Sequence, residues 1–543
     1  MKISRKALML LMAICGFIQQ QSFGQQADMI LTDGKIFTSE SSRLYVEAIA
    51  IKGNKIIAIG KNAEVEKLAG NTTKKIDLNG KTVVPGFNNA HDHLGWAINL
   101  GNFFNAEFSV PGPDKKSVID SVARLAKSAK PGEWISGLIG LTIYYDPEMR
   151  KTLDSLSPNN PVQLQVMWGH GVVLNSLAMK VLNIAENEPD PLGGWYKRKD
   201  GSDTITGALY EYAQWPALQA IAASQPSNVV KSIQNISQQQ LAMGITSVQH
   251  MNYFHPSEMS SIFKQANLSQ RIRIIPFPGT ANNRREIEEW KRADPHPAPM
   301  VELSGIKYLI DGTPFDESAL MKTVYPDSAG WFGRTDFPVD TIRQILREAY
   351  NSSTPLLMHI VGDSTLSIVL SLMEQTGKAA IWRTRRVRFE HNLTGNATAS
   401  EIQSILDMGI IMAHTPKYAQ SGRVQSLLSK GISVSVSPDG TPSPFIDILI
   451  MTTMQLNPNE NISREQAVIA YTKTNAFAEF AEKEKGTLMP GMLADLAVLS
   501  QDIFTIPVEQ LPATRALLTI VDGKIVYQES AAIGLFTLKK ESL

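Results

Sequence analysis

Two histidines separated by one residue, His91 and His93, close the run Val83-Val84-Pro85-Gly86-Phe87-Asn88-Asn89-Ala90. On a β-strand, residues i and i+2 project to the same side, so both imidazoles can meet one metal ion while Asp92 points away. Three further candidates each end an apolar run: His359 after Leu356-Leu357-Met358, His391 after Val387-Arg388-Phe389-Glu390, and Asp439 after the alternating stretch Ile432–Ser437 and a proline. A fourth, Lys307, sits early in Ile306-Lys307-Tyr308-Leu309-Ile310. The only cysteine is Cys15, inside the N-terminal leader, so a metal would have to be held by histidine, carboxylate or a modified lysine.

These residues need strands that converge. Between residues 83 and 486, candidate strands (Val162–Val166, Thr246–Gln249, Ile272–Pro276, Ile306–Ile310, Leu356–Ile360, Val387–Glu390, Ile410–Ala413, Ile432–Ser437) alternate with amphipathic stretches such as Ile342–Tyr350 and Ser364–Glu374. Repeated strand–helix units predict a parallel sheet. Candidate ligands at strand C-terminal ends favour an α/β fold of the closed (β/α)8 TIM-barrel type, whose sites occupy that face. Residues about 95–244 are too many for one barrel connection, and predict barrel elements plus an inserted, partly helical cap. Hairpin patterns at residues 28–82, around Asp33-Gly34 and Gly53-Asn54, and at 487–530, around Asp522-Gly523, predict a small β-sandwich built from both chain ends.

Lysine plus arginine and aspartate plus glutamate balance at 52 each, which leaves no global field to attract nucleic acid or an acidic membrane. Lys2, Arg5 and Lys6 precede the apolar run Ala7–Phe17, which a polar, small-residue stretch follows to Gly24. This reads as a secretory signal peptide over residues 1–24, the run being shorter than the roughly 20 residues of a membrane span. The expected mature protein is exported, periplasmic or secreted, and free of cysteine. Lipidation of Cys15 is disfavoured by the preceding Ile14.

The ordered set VVPGFNNAHDH, WGHGVVLNSLAM, TGALYE, IKYLIDG, LMHIVGD, RFEHN, SPDGTP and GTLMPGMLADLAVL resembles the amidohydrolase superfamily. The resemblance is narrower still to its family 3 branch, which includes YtcJ-like proteins and N-substituted formamide deformylases. It covers essentially the whole mature chain. It implies that His91, His93 and Asp439 hold a first metal, that His359 and His391 hold a second, and that Lys307 bridges them as a carbamate. His and carboxylate ligands suit Zn²⁺, one ion or two, or another divalent metal. A lysine takes up CO₂ only as its neutral amine, which burial in a cation-rich site favours. Glu211, in the inserted region, is the rival carboxylate, its ordinary reading being an acid at a helix N-terminus. The implied reaction is hydrolysis of an amide or cyclic-amide C–N bond in a small organic molecule. A metal-activated water attacks, and Asp439 moves its proton to the leaving nitrogen. Alternatives are hydrolysis of another bond, such as an ester, or an idle barrel that only binds.

His170, in Trp168-Gly169-His170-Gly171, matches a family motif and is assigned substrate contact or oxyanion support. His414 is expected to line the pocket, His250 to lie in pocket or core, and His255 and His296 to face solvent. Asp311 reads as a turn carboxylate, Asp363 as a helix N-cap, and Glu390 as facing away from His391. Trp96, Phe103, Phe104, Tyr144, Trp168 and Trp331 are candidates for an apolar pocket, with ordinary core as the plainer reading. The expected partner is a small-molecule substrate, with a homodimer as the default assembly.

Overall fold

The computed structural model describes residues 26–94, 102–106, 112–279, 285–326, 328, 330–440, 443–454 and 456–530. The leader with Cys15, and Trp96, lie outside the described residues. No helix among those described is long and apolar enough to cross a membrane.

Eight parallel strands carry the candidate residues: β1 (Phe87–Asp92), β2 (Ile245–Asn252), β3 (Arg271–Pro276), β4 (Ile306–Leu309), β5 (Leu356–His359), β6 (Arg388–His391), β7 (Ile411–His414) and β8 (Val434–Val436). Ladders join β1 to β2 and β2 to β3, and run continuously from β4 to β8. The step from β3 to β4 is made by a kinked run. Val301–Leu303 pairs with β3, the chain turns at Gly305 (φ +93°), and Ile306–Leu309 pairs with β5. Glycine is the residue that adopts this backbone without strain. β8 packs beside β1 and completes the ring.

The helices pack on the outside through faces the sequence spells out. Val339–Tyr350 buries Ile342, Ile345, Leu346 and Ala349, a 3–4–7 spacing that lays one stripe on the sheet. Asp363–Thr376 follows β5, but its N-cap is Gly362. Asp363 is instead the first helical residue, and its carboxylate accepts the Lys322 N–H at 2.6 Å. Among the helix-facing residues is His250. Its Nδ1 accepts the Leu94 N–H at 3.0 Å, and its ring lies 5.3 Å from that of Phe263. This is core.

All eight barrel strands lie outside residues 95–244. The chain leaves after β1 and returns at β2, and the intervening segment builds its own mixed sheet. Its strand order is Gly194–Arg198, Ile205–Glu211, Gly171–Leu174, Val162–Val166, Ile135–Ile139 and Phe103–Phe104. Val162–Val166, expected in the barrel alternation, therefore belongs to this sheet. Every residue of it is buried, Gln163 and Gln165 included, so its pattern does not say which sheet it joins. Phe104 and Tyr144 belong to this sheet's own apolar cluster, as plain core.

Both chain ends meet in two further sheets. One takes Lys55–Gly60, Ala48–Lys52, Ala27–Thr32 and Ala69–Asp77 in that order. The other takes Lys524–Gln528, Ala516–Val521, Leu496–Leu499, Thr82–Pro85, Lys35–Phe37 and Tyr45–Val46. One apolar cluster, including Leu31, Ile51, Val83, Leu496 and Ile520, draws on both. The Gly53-Asn54 and Asp522-Gly523 turns close antiparallel hairpins. Asp33-Gly34 does not, because the strands it joins enter different sheets. Val83–Pro85, expected with the barrel, pairs instead with Leu496–Val498, and the barrel strand starts after Gly86. A Cβ there would fall 2.1 Å from Thr246 Oγ1 on β2, which is why the bend is glycine.

Burial holds the His250 imidazole down to about 3. A neutral buried imidazole must take a proton on unfolding, so its stabilising contribution is complete above about pH 6.5 and shrinks as pH falls from there towards 3. Replacing His250 by glutamine should flatten the pH dependence of unfolding free energy between pH 6 and 4 by up to about 1.4 kcal/mol per pH unit. Urea titrations of both proteins across that range check it.

Candidate active site

At the C-terminal mouth of the barrel the structure brings His91, His93, Lys307, His359, His391 and Asp439 together. His91 and His93 project to the same side, their ring centroids 5.3 Å apart. Asp92 faces the other way, accepting from Asn89 at 2.6 Å and Gln240 at 2.5 Å. Asp439 Oδ1 lies 3.6 Å from His91 Nε2 and 3.5 Å from His93 Nε2, and its Oδ2 lies 3.7 Å from His391 Nδ1. The His391 ring is 5.1 Å from that of His91 and 4.5 Å from that of His359. Ligand atoms of His91, His391 and Asp439 all fall within 4.8 Å of one another.

Hydrogen bonds fix which ring nitrogen is available. His91 Nδ1 donates to Glu390 Oε2 at 2.6 Å, which leaves the lone pair on Nε2, facing Lys307 Nζ at 2.7 Å. The His359 Nε2–H donates to the Gly312 carbonyl at 3.2 Å, which leaves its lone pair on Nδ1. Burial first, then neighbouring positive groups, hold His91, His93, His359 and His391 well below the ordinary histidine value, so all four are neutral donors. Burial lowers Lys307 to about 8, against the opposing pull of Glu390 and Asp439. Burial raises Asp439 to about 6, with Lys307 opposing.

Glu390, expected to face away from His391, reaches His91, whose ring lies 5.1 Å from that of His391; the left-handed backbone at His391 brings both residues to the same interior. The second Glu390 oxygen takes the Arg388 Nε–H. Arg388 also donates to Gln249 Oε1 at 2.6 Å and to the Ala90 carbonyl at 2.8 Å. The signal for this was present in the sequence. Arg388 and Glu390 share a face of a strand whose other face must meet apolar helices, so that face is the barrel interior.

A second pair arrives from the inserted sheet. His170 Nδ1 donates to Glu211, with oxygens at 2.8 and 3.0 Å, and its ring lies 4.6 Å from that of His359. Glu211 stands at the N-terminus of the short helix Tyr212–Gln214, as expected, but its carboxylate serves His170 rather than a cap. It ends the strand Ile205–Glu211 with φ +50° and makes no capping bond to the short turn that follows. Burial pushes Glu211 well up and lowers His170 to about 4. His391 (φ +76°) and Asp439 (φ +44°) also hold left-handed backbone, a conformation that clusters at functional sites.

The remaining candidates fall into place around this centre. Asp311 accepts the N–H groups of Val361 at 3.0 Å and Gly362 at 2.7 Å, which fixes the turn directly after His359. His414 is buried beside Asn392, whose amide donates to its Nδ1 at 3.3 Å. His255 and His296 are at the surface, and Trp331 is exposed. Phe277, which the sequence reading passed over, stacks on the His93 ring with centroids 6.2 Å apart.

The family model described as "Amidohydrolase family" matches residues 74–527. The chain belongs to that family. It is 24% identical to the putative amidohydrolase YtcJ of Bacillus subtilis, over 92% of this chain and 99% of the relative. It is also 24% identical to the N-substituted formamide deformylase of Arthrobacter pascens, over 94% of this chain and all of the relative. Both place it in the YtcJ-like branch. The fold is shared with an uncharacterized metal-dependent hydrolase from Pyrococcus furiosus at a TM-score of 0.65 and 20% identity, covering 88% of this chain and all of the other.

Removing only the Glu390 carboxylate would strand a buried guanidinium. Glu390→Ala should lower unfolding free energy by about 3–5 kcal/mol, and the double variant Arg388→Met/Glu390→Leu should recover most of that loss. Chemical denaturation of the metal-free proteins measures both.

Proposed function

We propose that this amidohydrolase is a metal-dependent hydrolase that cleaves the C–N bond of an amide, cyclic amide or formamide in a small organic molecule. The single observation that carries the reading is the donor set at the barrel mouth. Ligand atoms of His91, His391 and Asp439 lie within 4.8 Å of one another, with His93, His359 and Lys307 beside them. The chemistry of this donor set suits Zn²⁺ or a similar divalent ion.

His91, His93 and Asp439 would hold one ion, and His359 and His391 a second, with Lys307 between them as a carbamate. Such an ion supplies Lewis acidity, acidifying a water and polarising the scissile carbonyl. Asp439 carries the proton: its carboxylate accepts it at Oδ and delivers it to the leaving nitrogen. His170, oriented by Glu211 and with its ring 4.6 Å from that of His359, would support the substrate oxygen through Nε2. Phe277 shields His93 and Lys307 from solvent. The name of the Arthrobacter pascens relative supports a formamide-type substrate. The basic, apolar leader supports export.

Elemental analysis of the purified mature protein, alone and as His91→Ala and Lys307→Ala, tests the reading. One or two zinc ions per chain are expected, lost in the first variant and reduced in the second. Asp439→Asn should lower kcat on N-substituted formamides by about 10²–10⁴-fold. A folded, metal-supplemented parent with no bound metal overturns the reading.

A further inference from the structure

Two junctions of the eight-strand ring are closed by no ladder among the described residues: β3 to β4, where the chain itself crosses at Gly305, and β8 to β1. β1 is the edge of one sheet and β8 the edge of another, and among the described residues no strand pairing joins them. These are the strands that deliver His91 and His93, on one side, and Asp439, on the other. This second junction is bridged by a side chain. Asn475 Nδ2 donates to the Asn88 carbonyl on β1 at 2.5 Å and to the Val436 carbonyl on β8 at 2.7 Å. Its Oδ1 accepts the Val436 N–H at 3.0 Å. A planar primary amide offers one N–H more than a peptide group, so Asn475 can pair with the backbone of β1 and β8 at once.

Both anchor points lie three residues upstream of a candidate ligand: Asn88 before His91, and Val436 before Asp439. Asn475 is fully buried. It follows a π-helical turn, Ala470–Thr474, whose wider winding sets the side chain at the seam. Its own carbonyl accepts from Gln249 Nε2 at 3.4 Å, and Gln249 Oε1 in turn holds Arg388. We infer that Asn475 is a positioning residue that sets the spacing between His91/His93 and Asp439 by clamping their strands. The inference rests on the metal-dependent reading above, and assigns a role to a residue outside the donor set.

Asn475→Leu keeps the size of the side chain and removes all three bonds. Tyr471→Phe is the control. It deletes the buried hydrogen bond from Tyr471 to Asp447, 2.6 Å long, on the same segment without touching either strand's backbone. Asn475→Ser, a smaller lesion, serves if the leucine variant does not fold. The first readout is hydrogen exchange of the metal-free proteins. Exchange of the Val436 amide and of the amides at 89–93 should rise in the Asn475 variants and stay at the wild-type level in Tyr471→Phe. The second is zinc retention against a chelator, expected to weaken by at least about tenfold, the scale of a lost partner to a ligand. The third is kcat, expected to fall about tenfold or more with KM changed less than threefold, while Tyr471→Phe loses only Tm.

Unchanged exchange at 89–93 and 436, or wild-type zinc retention and kcat in a folded Asn475 variant, overturns the clamp. Absence of zinc from the wild type overturns the metal-dependent reading instead, and the exchange comparison still decides whether Asn475 holds the seam.

Discussion

The interior of the barrel is built around a salt bridge that has no water to fall back on. Arg388 and Glu390 project from β6 into a space closed on all sides, and both are almost fully buried. A charge there is tolerated only if every donor and acceptor finds a partner. Arg388 therefore reaches Gln249 on β2 and the Ala90 carbonyl on β1, and Glu390 spends its free oxygen on His91. The same requirement that keeps the pair soluble inside the protein fixes the tautomer and the angle of the first candidate ligand. Three strands far apart in sequence are tied by one guanidinium. The neighbouring seam between β1 and β8 follows the same logic, with Asn475 supplying the amide that the ladder lacks.

Precision at the mouth is obtained at the cost of local strain. Glu211, His391 and Asp439 each end or follow a strand and each turns to positive φ. For a residue with a Cβ this costs on the order of 1–3 kcal/mol, and it persists only where surrounding contacts over-determine it. The benefit is direction. A strand that ended in regular extended backbone would send alternate side chains to opposite faces. The left-handed turn at His391 lets Glu390 and His391 serve one site from adjacent positions, Glu390 from below through His91 and His391 from the rim.

Strand ends that carry a histidine or aspartate after an apolar run are legible, because the two-residue period and a polar terminus leave few other readings. That is why five positions spread over more than three hundred residues could be named as one group, whereas Lys307, early in its strand, could not be named on that ground. The amphipathic helix at Val339–Tyr350 was legible for the same reason, its 3–4 spacing being unambiguous. What the sequence conceals is pairing. Val162–Val166 is a buried strand in either a parallel barrel or a mixed sheet, and only the neighbours decide. Asp33-Gly34 has the composition of a hairpin turn, yet its flanking strands are claimed by different sheets. Alternation predicted that Glu390 turns from His391, but the left-handed backbone at His391 brings both to the same interior, with His91 in the path of Glu390. Glu211 was read from the short turn after it, whereas its role comes from the strand before it and from His170, forty-one residues earlier.

Lys307 shows how these constraints converge on chemistry. Its ammonium would sit in a barrel whose interior already holds the Arg388 charge, so burial and like-charge repulsion both favour the neutral amine. His91 turns a ring lone pair towards it at 2.7 Å, because Glu390 has taken the proton on the opposite nitrogen. An amine held near 8 is neutral about one-tenth of the time at pH 7, whereas a lysine at its ordinary value of about 10.4 almost never is. Capture of CO₂ would then exchange a cation for an anion at the point where four neutral imidazoles and Asp439 converge. Glu390 and Asp439 oppose that exchange in the metal-free protein, so it would depend on a bound divalent ion, for which a carboxylate is a suitable ligand.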